Sequence, residues 1–180
     1  MKGIIFTEFL EMVESKFGLE IVDTIIETSK LSSSGIYTSV GTYDFNEMLT
    51  LVTTLSTQTN ISVGDLIYTF GHYLFTRLGE AHPEVIQNYN TPLGLLYSIE
   101  DHIHVHVKKL YPDAELPTFK ILEKTDTSLT MIYASKRGLY RFAHGLMEKS
   151  FEHFNKTATV TYELINEDGT EVKFNIVQHG

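Results

Sequence analysis

Residues 129–154 read LTMIYASKRGLYRFAHGLMEKSFEHF, and the fold class turns on how the periodicity changes inside them. Leu129–Ser135 alternate with the period of two of a strand, whereas Leu139–Phe154 follow helical spacing. Tyr133, Ser135 and Arg137 stand two residues apart at the end of the alternating run, so an extended segment would present all three on one face. A phenol, a hydroxyl and a guanidinium at one spot make a clamp for a pair of carboxylates, the guanidinium in a forked, charge-assisted contact. The pattern is weak alone, because any half-exposed strand can carry such a polar face.

Upstream the chain reads as helices. Ile5, Phe6, Phe9, Leu10, Val13 and Phe17 fall at helical spacing, residues 20–30 continue similarly, and Ser32-Ser33-Ser34-Gly35 breaks the run. A further helix is expected over about 43–56. Ser62, with Asp65 three residues on, caps another that carries Leu66, Ile67, Phe70, Leu74 and Leu78 and ends at His82-Pro83. Pro92 opens a long stretch, apolar on one side, that Pro112 stops. After Pro117 the period changes: Phe119–Lys124 alternates before the turn at Asp126-Thr127-Ser128, and Thr157–Ile165 and Val172–Val177 flank a hairpin signal at Asn166-Glu167-Asp168-Gly169. Helices over the N-terminal two-thirds, then a small antiparallel sheet with one helix in it, is an α+β plan.

His102, His104 and His106 alternate within the stretch that Pro92 opens. On a strand they would share a face and suit zinc with an open position. The flanking Leu93, Leu96, Ile99, Ile103, Val107 and Leu110 follow helical spacing instead, so His102 and His106 fall on one side and His104 roughly opposite. A His102/His106 pair, four residues apart, could still bind zinc, but no Glu or further His stands nearby to complete it convincingly. Measured from the centre of the apolar stripe, His106 lies about 60° away and His104 about 100°, so periodicity alone nominates His106.

Composition narrows the function classes. A length of 180 residues with 42% hydrophobic residues, 11 Phe and 10 Tyr suits one folded domain with a real core. Fourteen basic against 23 acidic side chains give a net charge of −9, which disfavours nucleic acid or an anionic membrane as the main partner and favours docking to a basic patch. With no cysteine, disulfides, iron–sulfur clusters, thiolate-ligated haem and covalent c-type haem are excluded together, and a reducing cytoplasm is the expected compartment. No apolar run approaches the ~20 residues of a spanning helix.

The whole set resembles the H-NOX family, the haem–nitric oxide/oxygen binding domains related to the haem domain of soluble guanylate cyclase, in its stand-alone bacterial type. The resemblance covers essentially residues 1–180. It runs from Met1-Lys2-Gly3 through Ile103-His104-Val105 with Lys109, Pro117 thirteen residues after His104, Tyr133-x-Ser135-x-Arg137, and Gly145-Leu146. It implies a single haem-binding domain, with a helical subregion over 1–60 and a haem-enclosing subregion over 61–180, the haem (non-covalent haem b) buried between helices and sheet. The histidine thirteen residues before the proline would be the iron ligand, which selects His104 over the wheel's His106. Tyr133, Ser135 and Arg137 would hold the propionates, and Pro117 and Ile5 would press on the macrocycle. Read as residues alone, Pro117 is a loop breaker and Ile5 core.

Oxygen-binding members of the family carry a tyrosine nine residues beyond the motif's tyrosine; here that position is Phe142. Tyr140 lies about 200° from it around a helix. Phe9, Leu74, Leu78 and Leu146, at the other expected pocket positions, are also apolar, though plain core packing would explain them equally. His72 and His144 are expected off the pocket. The implied function is a sensor that takes NO and CO but not O₂, and that is not an enzyme. Because the sequence ends at Gly180 without a kinase, cyclase or methyl-accepting module, output is expected in trans, to a histidine kinase or a cyclic-di-GMP enzyme. Two alternatives stand beside it: a cofactor-free protein–protein adaptor, and a zinc-dependent enzyme built on His102, His104 and His106.

Overall fold

The computed structural model describes residues 1–179, which form two compact units, Met1–Phe70 and the chain from Gly71 onward. The first is helical: α1 (Gly3–Phe17), α2 (Leu19–Ser29), α3 (Phe45–Thr59) and the beginning of α4 (Val63–Ala81). Phe6, Phe9, Met12, Val13, Ile25, Leu51 and Leu55, spaced three or four apart on their helices, are buried as its core. Asp44 caps α3 by accepting from the Asn46 N–H at 3.0 Å, and Ser62 accepts from the Asp65 N–H at 3.1 Å while its hydroxyl reaches the Asp65 carboxylate at 2.7 Å. A buried carboxylate, Glu47, gathers donors from the connection before α3. The Ser32 hydroxyl, the Ser33 N–H at 3.0 Å, the Ser33 hydroxyl at 2.6 Å and the Tyr37 hydroxyl at 2.7 Å all donate to it.

The second unit holds the rest of α4, then α5 (Pro83–Ile86), α6 (Pro92–Tyr97), a π-helical turn (Ile99–Ile103) and α7 (His104–Leu110). These are followed by β1 (Thr118–Lys124), β2 (Ser128–Ala134), α8 (Tyr140–His153), β3 (Thr157–Leu164) and β4 (Glu171–His179). The four strands form one antiparallel sheet in the order β1-β2-β4-β3, with Tyr133 opposite Phe119 on one side and Val172 on the other. Alternation along β2 buries Leu129, Met131 and Tyr133, and along β4 Val172, Phe174 and Ile176. Met147 and Phe151 of α8 and Leu93, Leu95 and Leu96 of α6 join them in one core. This is the α+β architecture expected from the change of period after Pro117. Among the described residues no helix is long and apolar enough to cross a membrane.

The long helix expected between Pro92 and Tyr111 is three pieces instead of one. Thr91 caps α6, which ends at Tyr97, and the chain then widens into the π-helical turn before α7. The Ile103 N–H bonds the Ser98 carbonyl at 3.4 Å and the His104 N–H bonds the Ile99 carbonyl, both spanning five residues. A π turn inserts a residue into the helical register, so side chains beyond it are rotated by roughly 100° from a continuous helical wheel.

Candidate functional site

That inserted turn decides which histidine faces inward. The His104 side chain, at the first position of α7, is 14% exposed, against 33% for His106. A wheel drawn through the whole stretch favoured His106 because it carried the stripe of Leu96 and Ile99 across a break in register. The three histidines also part company: a His102 ring nitrogen meets the Tyr89 hydroxyl at 3.0 Å, His104 faces Glu100, and His106 turns toward Glu84. They do not converge on one ion, which removes the geometric basis of a zinc centre built on all three.

Glu100, which sequence reasoning passed over, orients His104. Its Oε1 lies 3.3 Å from His104 Nδ1 and accepts the Phe119 N–H at 2.6 Å, so one carboxylate oxygen links the π-helical turn, the imidazole and the first residues of β1. With Nδ1 turned to a carboxylate, Nε2 is the nitrogen available to a metal, the usual division of labour for a ligating histidine. Burial lowers the His104 pKa, the Glu100 carboxylate opposes that shift, and Lys108 adds to it. A neutral imidazole is the form a metal needs. The signal was present in the sequence as an acid four residues before His104 on a helix.

Phe119 joins this group to the polar motif, its ring centroid 6.0 Å from that of His104 and 5.6 Å from that of Tyr133. The motif does not lie on one strand face as alternation suggested. Only Tyr133 is in β2; Ser135 and Arg137 lie past its end, in a turn closed by the Gly138 N–H to the Ser135 carbonyl at 3.2 Å. Gly138 has φ +60°, the left-handed conformation that a glycine takes without cost. The three residues converge nonetheless, because the turn folds Ser135 and Arg137 back. The Tyr133 phenol is buried, which raises its pKa, while the Ser135 hydroxyl and the Leu139 N–H bond its oxygen and Arg137 lies near enough to lower it. The Arg137 N–H donates to Ser135 Oγ at 3.2 Å.

The Arg137 guanidinium already holds a carboxylate. It donates to the Glu115 carbonyl at 3.1 Å and to Glu115 Oε2 at 2.6 Å, and the glutamate side chain is 81% exposed. Around this pair opens a cleft of about 660 Å³ lined by Glu115, Leu116, Ser135, Arg137, Thr170 and Glu171. One guanidinium nitrogen bonds the Glu115 carboxylate and the other its backbone carbonyl, so the arginine is placed to hold a carboxylate in a charge-assisted contact.

Pro117 directly precedes β1, a position where its missing N–H costs the ladder nothing. Leu74 is buried in α4, and Leu78, one turn on, is 37% exposed. Phe142 and Leu146 are partly buried on α8, where the backbone comes against Gly71 of α4. Tyr140, on the same helix, packs its ring 5.0 Å from Tyr162 of β3 and hydrogen-bonds it, so its hydroxyl is engaged on the sheet. His144 likewise meets Tyr162 edge-to-face at 5.5 Å and bonds Glu148 at 3.0 Å, and His72 bonds Glu152 at 3.0 Å. In the first unit, Ile5 is partly buried and Phe9 fully buried on α1, Phe9 edge-to-face with Phe70 at 5.3 Å.

Comparison with known proteins identifies the family. A family model described as haem-NO-binding matches residues 2–162. The H-NOX protein from K. algicida, solved in the Fe(II) unliganded state, is 55% identical over 100% of this chain and 97% of its own, with a TM-score of 0.97. The H-NOX from Shewanella woodyi, solved in the Fe(II)CO state with IWP-051 bound, is 41% identical over 99% and 95%, with a TM-score of 0.84. An H-NOX protein from S. oneidensis in the Fe(II)NO state is 25% identical over the full length of both chains, at a TM-score of 0.92. The chain belongs to the haem-NO-binding, or H-NOX, family, whose members are haem-based gas sensors and not enzymes.

Proposed function

We propose that this chain is a nitric oxide sensor that binds haem b through His104, takes NO and CO at ferrous iron, and excludes O₂. The observation that carries the reading is the Glu100–His104 pair on the π-helical turn: a partly buried imidazole, its pKa lowered by burial, with Nδ1 held by a carboxylate that is itself anchored on the Phe119 N–H. Tyr133, Ser135 and Arg137 would hold the propionates, and the carboxylate already seated on Arg137 supports that assignment. Pro117 and Ile5 would press on the macrocycle. When bound, haem would supply a ferrous iron able to take a diatomic gas, with His104 as the protein's ligand to it.

Selectivity would rest on what the residues expected around the gas ligand cannot donate. Phe9, Leu74, Leu78, Phe142 and Leu146 carry no hydrogen-bond donor, and the Tyr140 hydroxyl is spent on Tyr162. Bound O₂ carries superoxide-like negative charge and gains from a donor, which at a buried site is worth roughly 1.5–3 kcal/mol; NO does not need it. His104 stands at the start of α7, which the π-helical turn sets apart from α6, so a change at its imidazole would be passed to the end of that helix. A separate histidine kinase or cyclic-di-GMP enzyme, docking through basic surface onto this acidic chain, would read the change.

The test is the visible spectrum of the reduced protein, first in air and then with NO. A five-coordinate ferrous spectrum that air leaves unchanged and NO shifts is expected. A stable oxy spectrum would remove the O₂ exclusion, and an unaltered five-coordinate ferrous spectrum in His104→Gly would remove the ligand assignment.

A further inference from the structure

His106, the histidine that turns away from Glu100, meets two other metal-binding side chains. His82, at the corner between α4 and α5, and Glu84, in the first turn of α5, bring their ligand atoms and one from His106 within 4.8 Å of one another. Glu84 Oε1 sits between the two rings, 3.5 Å from His82 Nδ1 and 3.7 Å from His106 Nε2. Both separations exceed hydrogen-bond length. They lie a few tenths of an ångström above ligand-to-ligand spacing around a tetrahedral ion, where bonds of about 2.0–2.1 Å set neighbouring ligand atoms about 3.3–3.4 Å apart, a gap that small side-chain rotations close.

The second observation is independent of that spacing. Nε2 of His106 is shielded from solvent and has no hydrogen-bond partner, one of two such side-chain atoms among the described residues. A sheltered ring nitrogen without a protein partner has its lone pair free for a water or an ion. The two imidazole rings stand 5.7 Å apart at 70°, which leaves both nitrogens able to turn to one point. His102, two residues before His104, is occupied with Tyr89 and does not compete.

We propose that His82, Glu84 and His106 form a binding site for a divalent transition metal of the zinc class. Two imidazoles and one carboxylate, with a fourth position left to water, are a donor set that zinc accepts readily. The ion would pin α7 to the α4–α5 corner one half-turn beyond His104. The site stands on these three side chains and does not depend on haem at His104.

Zinc binding to the purified, haem-loaded protein, stripped of adventitious metal by a chelator, tests it by calorimetry against a competing chelator. One equivalent should bind, and His82→Ala, Glu84→Gln and His106→Ala should each weaken it at least tenfold, while His102→Ala should not. The largely exposed Glu84 makes Glu84→Gln a variant that folds, and zinc should raise the melting temperature of the parent but not of this variant. Absence of stoichiometric binding, or equal affinity in the parent and all three ligand variants, would overturn the site. An unaltered zinc titration in a preparation lacking haem would separate failure of the haem reading from failure of this one.

Discussion

Gly71 and Phe142 leave no room for a side chain between them: a Cβ on Gly71 would lie 2.1 Å from the Phe142 carbonyl oxygen and 3.2 Å from the Leu146 nitrogen. The near atoms are backbone of α8, so a rotamer change cannot relieve the clash. Gly71→Ala must therefore push α4 and α8 apart. Overpacking of this kind costs about 1–3 kcal/mol, a fall of roughly 2–4 °C in Tm per kcal/mol for a chain of this size. Thermal unfolding of the haem-loaded variant checks it. A Tm equal to that of the parent would mean that the two helices separate without cost.

Phe142→Tyr is the direct test of selectivity. The new hydroxyl would stand at the position from which oxygen-binding relatives are expected to donate, and Leu74 and Leu146 carry no side-chain acceptor to compete for it. A gain of about 1.5–3 kcal/mol corresponds to roughly ten- to a hundredfold in O₂ affinity. The oxy spectrum of the reduced variant in air is the readout. Tyr140→Phe should leave it unchanged, because that hydroxyl serves Tyr162.

How much of this was legible in the sequence follows from which interactions are local. The strands, α8 and the cap at Ser62 were readable because the period of burial and the capping side chain are local properties. The π-helical turn was not. No residue in Ile99–Ile103 announces an i→i+5 bond, and the turn alone reverses the order of burial of His104 and His106. The polar motif was found for a partly mistaken reason, since it is the glycine turn at Gly138, not strand alternation, that gathers Ser135 and Arg137 on Tyr133. His82 and Glu84 were invisible as partners of His106 because more than twenty residues of chain intervene, and only the packing of the α4–α5 corner supplies that contact.

Glu100→Gln should weaken the hold on His104 without removing the side chain's bulk. The neutral amide still accepts from the Phe119 N–H but no longer draws on Nδ1 as a carboxylate does, so the imidazole becomes a poorer donor to iron. A lower iron–histidine stretching frequency by resonance Raman and faster haem transfer to an acceptor protein are expected, the latter by roughly 10–100-fold. An unchanged stretching frequency would show that Glu100 serves only β1.

The carboxylate of Glu47 sets the acid stability of the first unit. Burial works to raise its pKa, but donation from Ser32, Ser33 and Tyr37 wins and pulls it down to about 2 from an ordinary 4.5. The folded chain therefore holds the ionised form more tightly than the unfolded chain does. The resulting stability is fully present above about pH 4.5 and is lost as pH falls toward 2. Hydrogen bonds to a charged group contribute about 1.5–3 kcal/mol each before their cost of burial, so the net effect is on the order of a few kcal/mol. Glu47→Gln should lower stability at pH 7 by about 2 kcal/mol or more and flatten its decline between pH 5 and 3. Denaturant unfolding followed at a series of pH values measures both. A variant with the same acid slope as the parent would show that other carboxylates govern acid unfolding, and that the Ser32, Ser33 and Tyr37 donors serve only to position α3.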